Sequence, residues 1–317
     1  SQTMLSWALL TACAGCSLLT ASRPTWAGSR PAAWQACRMR SRTAARPFEY
    51  GGATITRRDD LGVDELDGAD VDTTRGLSGD VARQFRLGWA PDAWDALSSD
   101  FGVGVELLRD CGLAFTNSRG RLQDSFRARV MFPIFKDSGE PVAFGGRVLP
   151  GSTDPAKYKN SAESKIYAKS KTLYGLNWAK SDVVKADQIV VCEGYTDVIG
   201  FHRIGFTRAV ATCGTALTED HVRLMKRFAN NVVLAFDADA AGQGATDKFY
   251  AWEKKYDISV SVAQFPAGKD PGELASSDPD ALTRAINDAM PFLGFRLKRL
   301  FDANPLRSPE SRARLAG

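Results

Sequence analysis

The chain has 317 residues, of which 44% are hydrophobic and 25% charged, a composition that excludes an intrinsically disordered protein. Lys and Arg number 41 and Asp and Glu 37, and the resulting net charge of +4 by itself indicates neither nucleic-acid binding nor membrane binding. Six cysteines without the regular spacing of a disulfide scaffold favour a reducing compartment.

Residues 1–72 form a leader that differs from the rest of the chain. It is rich in Arg, Ser, Thr and Ala and has a single acid, Glu49, before residue 59. Three interpretations remain open: a lipoprotein signal ending in Leu-Thr-Ala-Cys13, an organelle transit peptide, or a non-native extension. The lipoprotein signal lacks its basic n-region. The Cys13 and Cys16 pair has no second Cys/His pair, so no zinc site is identified.

Residues 73–186 are predicted to form a mixed α+β subdomain. Helix-spaced apolar residues in 75–97 indicate small helices, and two apolar runs around Asp-Ser-Gly in 129–149 indicate two strands joined by a turn. The Lys-rich stretch 155–176 has too few apolar residues to be predicted as a core element. Residues 121–185 carry twelve Lys and Arg against six Asp and Glu, so this subdomain is basic.

From residue 187 strands and helices alternate. Strands are predicted at 188–194, 208–214, 231–239 and 258–265, with helices at 195–205, 217–229 and 240–256 between them. The helix at 217–229 begins with Thr218 as its N-cap. Near-continuous apolar strands separated by helices predict an α/β fold, a parallel sheet with helices on both faces, over residues 187–270. Residues 271–317 read as a short helical segment.

Acidic residues follow the predicted strands. Glu193 ends the first strand, Asp237 and Asp239 end the third, and Asp270 follows the fourth, while Asp197 lies one turn into the first helix. Ligands of parallel sheets gather at the carboxyl ends of the strands. Clustered carboxylates without His or Cys favour Mg²⁺ or Mn²⁺, and bound divalent ions suit phosphoryl transfer. For an isolated Asp-x-Asp, helix capping would be the better explanation.

The motifs VVCEGYTDVI, ATCGTALTEDHVRLMKR and VVLAFDADAAGQGA resemble the TOPRIM domain of bacterial-type DNA primases, the DnaG family. Upstream, RVMFPI, VAFGGRVL, PAKYKNSAES and YAKSKTLYGL resemble the same family's motifs in the same order. The resemblance runs from about residue 75 to about residue 300. It implies a TOPRIM-type sheet preceded by the basic subdomain.

The resemblance also implies roles for individual residues. Glu193, Asp237 and Asp239 match the family's metal-binding and catalytic acids, with Asp197 and Asp270 as further acids near the metal. The polar and basic positions that line the template and nucleotide groove are matched by Arg147, Lys157, Tyr158, Asn160 and Lys169. Such residues neutralise phosphates, donate directed hydrogen bonds and stack on bases.

Three departures from the family pattern limit what can be carried over. Asp270-Pro271-Gly272 stands where the family often has Asp-Pro-Asp, which leaves a metal ligand at the second acid in doubt. The zinc module that begins the family's primases has no counterpart in residues 1–72. The carboxy-terminal domain that docks the replicative helicase is also expected to be absent.

The predicted function is RNA primer synthesis on single-stranded DNA. The expected partners are the template, ribonucleoside triphosphates, the RNA–DNA hybrid product and the replicative helicase, with no membrane. The expected location is the cytoplasm at the nucleoid, with organelle import through the leader as an alternative. Two other functions stay open: a TOPRIM-type metal-dependent nuclease and a non-catalytic single-strand-binding primase remnant.

Overall fold

A computed structural model describes residues 77–100, 104–236, 246–266 and 268–303, together with the backbone of a two-stranded antiparallel pair, β1 (Phe48–Tyr50) and β2 (Ala53–Ile55). The chain divides into two compact units. One comprises Ser1–Pro133 and Phe144–Ser161, and the other comprises Ile134–Ala143 and Ala162–Gly317. The domain boundaries predicted at residues 72, 186 and 270 remain predictions.

The first unit begins with short helices and hairpins. Ser78 caps the first helix by accepting a hydrogen bond from the Val81 backbone N–H at 3.4 Å, and Arg86 ends that helix with a left-handed backbone, φ 54°. The predicted small helices are therefore confirmed. The elements are α1 (Gly79–Phe85), β3 (Gly88–Ala90), α2 (Ala96–Asp100), α3 (Val105–Asp110), β4 (Ala114–Thr116) and β5 (Leu122–Asp124).

A second hairpin confirms the two strands predicted in residues 129–149. β6 (Arg129–Phe135) and β7 (Pro141–Val148) are almost entirely buried and are joined by a turn closed by the Lys136 N–H donating to the Glu140 carbonyl at 2.9 Å. β8 (Tyr158–Asn160) pairs antiparallel with β7 and completes a four-stranded sheet in the order β3-β6-β7-β8. β8 is a short edge strand and its Tyr158 is exposed.

The second unit contains the predicted parallel sheet. Its order is β10-β9-β11-β12-β13, and only the contact of β12 with β13 is antiparallel among the described pairs. The strands are β9 (Gln188–Cys192), β10 (Ala209–Ala211), β11 (Asn231–Leu234), β12 (Ser259–Val262) and β13 (Met290–Pro291). The helices are α4 (Leu176–Ala186), α5 (Tyr195–Arg203), α6 (Glu219–Lys226), α7 (Thr246–Tyr256), α8 (Pro271–Ser277), α9 (Pro279–Asn287) and α10 (Phe292–Ala303).

The core of this unit covers both faces of the sheet. Four consecutive residues of β9, Ile189 to Cys192, are completely buried, although alternate side chains of a strand point to opposite faces. Only a sheet covered on both sides buries such a run, so the predicted α/β fold is confirmed. None of the helices in the described parts of the chain is both long and apolar enough to span a membrane.

The prediction that residues 155–176 contribute nothing to the core is wrong. Ile166, Tyr167, Leu173, Tyr174 and Leu176 are all buried. Tyr174 also forms an isolated β-bridge with Ala211 of β10, with backbone N···O distances of 2.9 and 3.0 Å. These apolar residues are irregularly spaced, so their contribution depends on tertiary packing and gives no periodic signal in the sequence.

The strand order creates a crevice beside β9. From β9 the chain passes to β10 on one side, and from β11 it passes to β12 on the other side. Neighbouring strands whose connections leave in opposite directions open a crevice at their carboxyl ends, where ligands of such sheets bind. The acids predicted to bind metal follow these two strands.

Candidate metal-binding acids and nucleic-acid-binding residues

Glu193 follows β9 at the crevice and its side chain is exposed. Its carbonyl accepts a hydrogen bond from the Cys213 N–H at 3.1 Å, and Cys213 has a left-handed backbone, φ 51°. The turns after β9 and β10 are thereby tied together. Glu193 is therefore fixed through its backbone at the carboxyl end of β9, an interior strand of the sheet.

Asp237 and Asp239, the other two predicted catalytic acids, lie outside the described residues. The described chain reaches Phe236, two residues past β11. Leu234 pairs with Val191, and the Ala235 N–H donates to the Val191 carbonyl at 2.8 Å. Phe236 therefore leaves the sheet at the same edge as Glu193.

Asp197, predicted to lie near the metal, is buried and accepts two backbone N–H groups. Its Oδ2 accepts from Gly194 at 3.0 Å, which closes the cap of α5, and its Oδ1 accepts from Gly272 at 3.3 Å at the start of α8. A carboxylate near two helix N-termini is stabilised by both. The structure thus gives Asp197 a structural role, and metal binding by it remains a proposal.

Asp270 caps α8. Its Oδ1 accepts a hydrogen bond from the Glu273 N–H at 2.7 Å, with Pro271 at the first helical position. Helix capping accounts for this aspartate in the same way as for Asp197. Its assignment as a metal ligand also remains a proposal.

Two thiols lie beside Glu193: Cys192 precedes it in the sequence, and the Cys213 backbone contacts it in the structure. Burial is the main cause that raises the pKa of the Cys192 thiol well above its usual value, and the negative charge of nearby acids raises it further. Burial likewise raises the pKa of Cys213, although a hydrogen bond with Tyr195 acts in the opposite direction. Protonated thiols are poor metal ligands. Among the described residues of this edge the available donor is the Glu193 carboxylate, and oxygen donors fit Mg²⁺ or Mn²⁺.

Glu193 alone does not make a metal site. Within the described ranges, no three His, Cys, Asp or Glu side chains are grouped to hold a metal ion. Two of the three predicted ligands fall outside those ranges.

Arg147 and Tyr158, predicted from the resemblance to contact nucleic acid, lie directly opposite each other on β7 and β8. The Arg147 guanidinium carbon is 5.7 Å from the centre of the Tyr158 ring, within the range of a cation–π contact. Arg147 is buried, whereas Tyr158 is 39% exposed. The pair places an aromatic face at the surface beside a fixed positive charge.

Lys157 immediately precedes the edge strand β8, and Asn160 ends it. Lys157 is exposed, and its carbonyl accepts the Val148 N–H at 3.1 Å, while Asn160 pairs with Gly145. Asn160 lies two residues after Tyr158 and therefore on the same side of the strand. Four of the five predicted nucleic-acid-binding residues thus lie together in the first unit.

Arg129, which the sequence analysis quoted in the RVMFPI motif without a role, holds the loop before β8. It is 3% exposed, and its Nη2 donates to Asp154 Oδ2 at 2.6 Å while its Nη1 donates to the Ala156 carbonyl at 2.8 Å. The pKa of Asp154 is lowered, mainly because its carboxylate accepts a hydrogen bond from the Ala156 N–H and also because the Arg129 guanidinium lies beside it. Its burial identifies Arg129 as a structural residue. Burial cannot be recognised from the sequence alone, so the sequence did not predict this role.

Lys169, the fifth predicted residue, lies in the second unit. It begins a 3₁₀ helix (Lys169–Lys171), and its backbone N–H donates to Glu163 Oε1 at 2.9 Å. Its carbonyl lies 2.8 Å from Nε2 of His221 on α6. Neither Glu163 nor His221 was predicted from the sequence to have a role.

Comparisons with known proteins match both units. Residues 70–180 match the family described as DNA primase catalytic core, N-terminal domain, and residues 190–275 match a Toprim-like family. The chain is also 38% identical to the E. coli primase catalytic core, a solved structure, with a TM-score of 0.67 over 77% of this chain and 79% of that one. The chain belongs to the DnaG family of DNA primases.

Two further DnaG-family relatives give the same result. The DNA primase of Clostridium acetobutylicum is 38% identical over 241 residues, which are 75% of this chain and 40% of that protein. A DnaG primase catalytic domain solved with bound single-stranded DNA is 37% identical, with a TM-score of 0.67 over 77% of this chain and 80% of that one. This chain spans about two fifths of the length of the curated primases that it matches.

Proposed function

We propose that the chain is a primase catalytic core that synthesises short RNA primers on single-stranded DNA. The observation that carries the proposal is the position of Glu193, which follows β9, an interior strand of a Toprim-like sheet, at its crevice. The same chain carries the primase-specific domain immediately upstream. A Toprim-like sheet without that domain would be equally compatible with a nuclease.

Glu193, Asp237 and Asp239 are proposed to hold the divalent ions at the end of the sheet, with Asp197 and Asp270 nearby. Bound Mg²⁺ or Mn²⁺ would supply activation of the primer 3′-hydroxyl and stabilisation of the leaving pyrophosphate. Asp197 keeps the α5 and α8 N-termini in place around this edge through its two backbone hydrogen bonds. No protein nucleophile is needed for this transfer.

The basic and aromatic residues are proposed to bind the template and the incoming nucleotide. The exposed face of Tyr158 can stack on a base, and Arg147, Lys157 and Lys169 can pair with phosphates. Asn160 can give a directed hydrogen bond. In this proposal the protein binds, orients and neutralises, and the ribonucleotide brings its own leaving group.

The proposed partners are the single-stranded template, ribonucleoside triphosphates and the RNA–DNA hybrid product, with the replicative helicase as a protein partner. The support for the template is that related DnaG domains have been solved with single-stranded and with double-stranded DNA. Action at the nucleoid would follow from these partners.

An assay of the whole chain separates this proposal from its alternatives. The protein is incubated with Mg²⁺, end-labelled single-stranded DNA and labelled ribonucleotides. We expect RNA products a few nucleotides long that disappear when Mg²⁺ is chelated, while the DNA stays intact. Shortened DNA would instead support a nuclease, and DNA binding without any product would support a non-catalytic module; either result overturns the proposal.

A further inference from the structure

The backbone around Lys169 is held by side chains of α6, a helix that begins about fifty residues later. The Lys169 carbonyl lies 2.8 Å from His221 Nε2, and the Thr172 carbonyl lies 3.2 Å from the same nitrogen. The Thr218 hydroxyl donates to the Ser170 carbonyl at 2.6 Å. Three of four consecutive carbonyls in this segment are thus bound by the first turn of α6.

His221 has its tautomer fixed by these neighbours. Its Nδ1 lies 3.3 Å from the Thr218 N–H and must accept, because a backbone N–H only donates. Its Nε2 faces two carbonyls and must therefore carry the proton. The ring is completely buried, and burial lowers its pKa, so the neutral form that fits both contacts is the stable one.

The capping box of α6 therefore serves two segments at once. Thr218 Oγ1 accepts a hydrogen bond from the His221 backbone N–H at 3.2 Å, and His221 Nδ1 accepts one from the Thr218 backbone N–H. These two bonds satisfy two backbone N–H groups at the start of the helix. The remaining donor of each side chain points to the segment from Lys169 to Thr172. A capping box closed by Glu would have no donor at the position of His221.

From these contacts we propose that His221 and Thr218 are positioning residues for Lys169. By fixing the carbonyls on one side of the 3₁₀ helix, while Glu163 fixes the Lys169 N–H, they restrict where the Lys169 ammonium can reach. The group that Lys169 would meet is a phosphate of the incoming ribonucleotide. This inference rests on the proposed function, in which Lys169 binds the nucleotide.

The contacts with the carbonyls can be removed without removing the helix cap. In His221→Asn, the amide matches the place of Nδ1 and keeps the cap but is too short to reach the Lys169 carbonyl. In His221→Gln, the amide nitrogen reaches the place of Nε2 and keeps the donor. His202→Asn is the matched control, since His202 is the other histidine of the chain and lies on α5.

We expect His221→Asn to raise KM for ribonucleotides roughly 5- to 10-fold with little change in kcat, the effect of one lost hydrogen bond. His221→Gln should restore most of the affinity, and His202→Asn should leave KM unchanged. Adding His221→Asn to Lys169→Ala should change KM by less than about twofold, because a positioning residue acts only through the residue it positions. Additive effects would overturn the inference.

A second measurement does not require primer synthesis. Trypsin cleaves after Lys169 and Lys171, and cleavage of a folded protein follows local opening of the segment. We expect His221→Asn to speed cleavage at these two sites about 5- to 10-fold while His202→Asn does not. Unchanged cleavage would refute the tether even if the wild-type chain made no primers. Faster cleavage with an unchanged KM would refute the positioning role.

Discussion

At the scale of single residues, Arg129 and Asp154 form an ion pair with one buried and one accessible partner. The Arg129 side chain is 3% exposed and that of Asp154 is 45% exposed. Removing one charge of a buried pair costs most when the charge that stays behind cannot reach water. The two partners are therefore not equivalent.

We predict that Asp154→Ala lowers the free energy of unfolding, because it leaves a buried guanidinium without its carboxylate. Arg129→Met should cost less, since methionine replaces the buried stem and the remaining Asp154 carboxylate is solvated. Urea unfolding of the two variants and the wild type measures the difference. A larger loss for Arg129→Met would show that the loop carbonyls, and not the charge, dominate.

At this scale the sequence supplied the residues proposed to bind metal and nucleic acid, but not the residues that hold their backbone in place. Glu193 was predicted because acids at strand ends are visible in the sequence, and Tyr158 because the stretch around it resembles a motif of the DnaG family. Arg129, Glu163 and His221 act through backbone groups that lie far away in the chain, or through burial. No pattern of residue types near them reports those contacts.

At the scale of elements, α5 and α8 pack through small residues. A Cβ added at Gly200 of α5 would lie 3.0 Å from the Ala275 Cβ and 3.1 Å from the Gly272 Cα of α8. The close approach lets the Gly272 N–H reach Asp197. The glycine is therefore required by the approach of a neighbouring backbone.

We predict that Gly200→Val lowers the free energy of unfolding by about 1–3 kcal/mol, because the backbone of α8 must move to admit the side chain. Gly294→Val is the control, since Gly294 also lies in a helix and a Cβ there would approach only the flexible Met290 side chain, at 3.4 Å. Thermal unfolding followed by circular dichroism compares the two. Equal losses would contradict this account of the packing.

The strands and helices of the second unit were largely predictable. Each apolar run from residue 188 to residue 265 has the length of a strand and each intervening segment carries helix signals, and over the described residues 188–236 and 246–265 the structure follows them. Two elements, α4 and the antiparallel edge strand β13, were not predicted. Leu176, Ala179 and Val183 are the only buried residues of the eleven in α4, and so narrow an apolar stripe gives a weak helical signal.

At the scale of the whole molecule, the two histidines make stability depend on pH. Burial lowers the pKa of His202 to about 4 and also lowers that of His221, against 6.5 for an exposed histidine. Between these values the unfolded chain binds protons that the folded chain does not. The free energy of unfolding must therefore fall as the pH falls from about 6.5 towards 4.

We predict that His202 alone accounts for a loss of about 3 kcal/mol across this window. His202→Gln cannot bind the proton, so it should flatten the dependence of unfolding free energy on pH by that share. Urea unfolding at several pH values between 7 and 4 gives the two curves. Parallel curves for variant and wild type would show that His202 is not the group that titrates.

The central claim is that the acids at the crevice of the Toprim-like sheet catalyse primer synthesis. Its most direct test is Mg²⁺-dependent incorporation of labelled ribonucleotides on single-stranded DNA by the wild type and by Asp237→Ala. Asp80→Ala, which removes an exposed aspartate of α1, is the control. We predict that Asp237→Ala loses at least about 100-fold in rate with an unchanged melting temperature, while Asp80→Ala keeps full activity. Full activity of Asp237→Ala would contradict the metal assignment and the proposed mechanism with it.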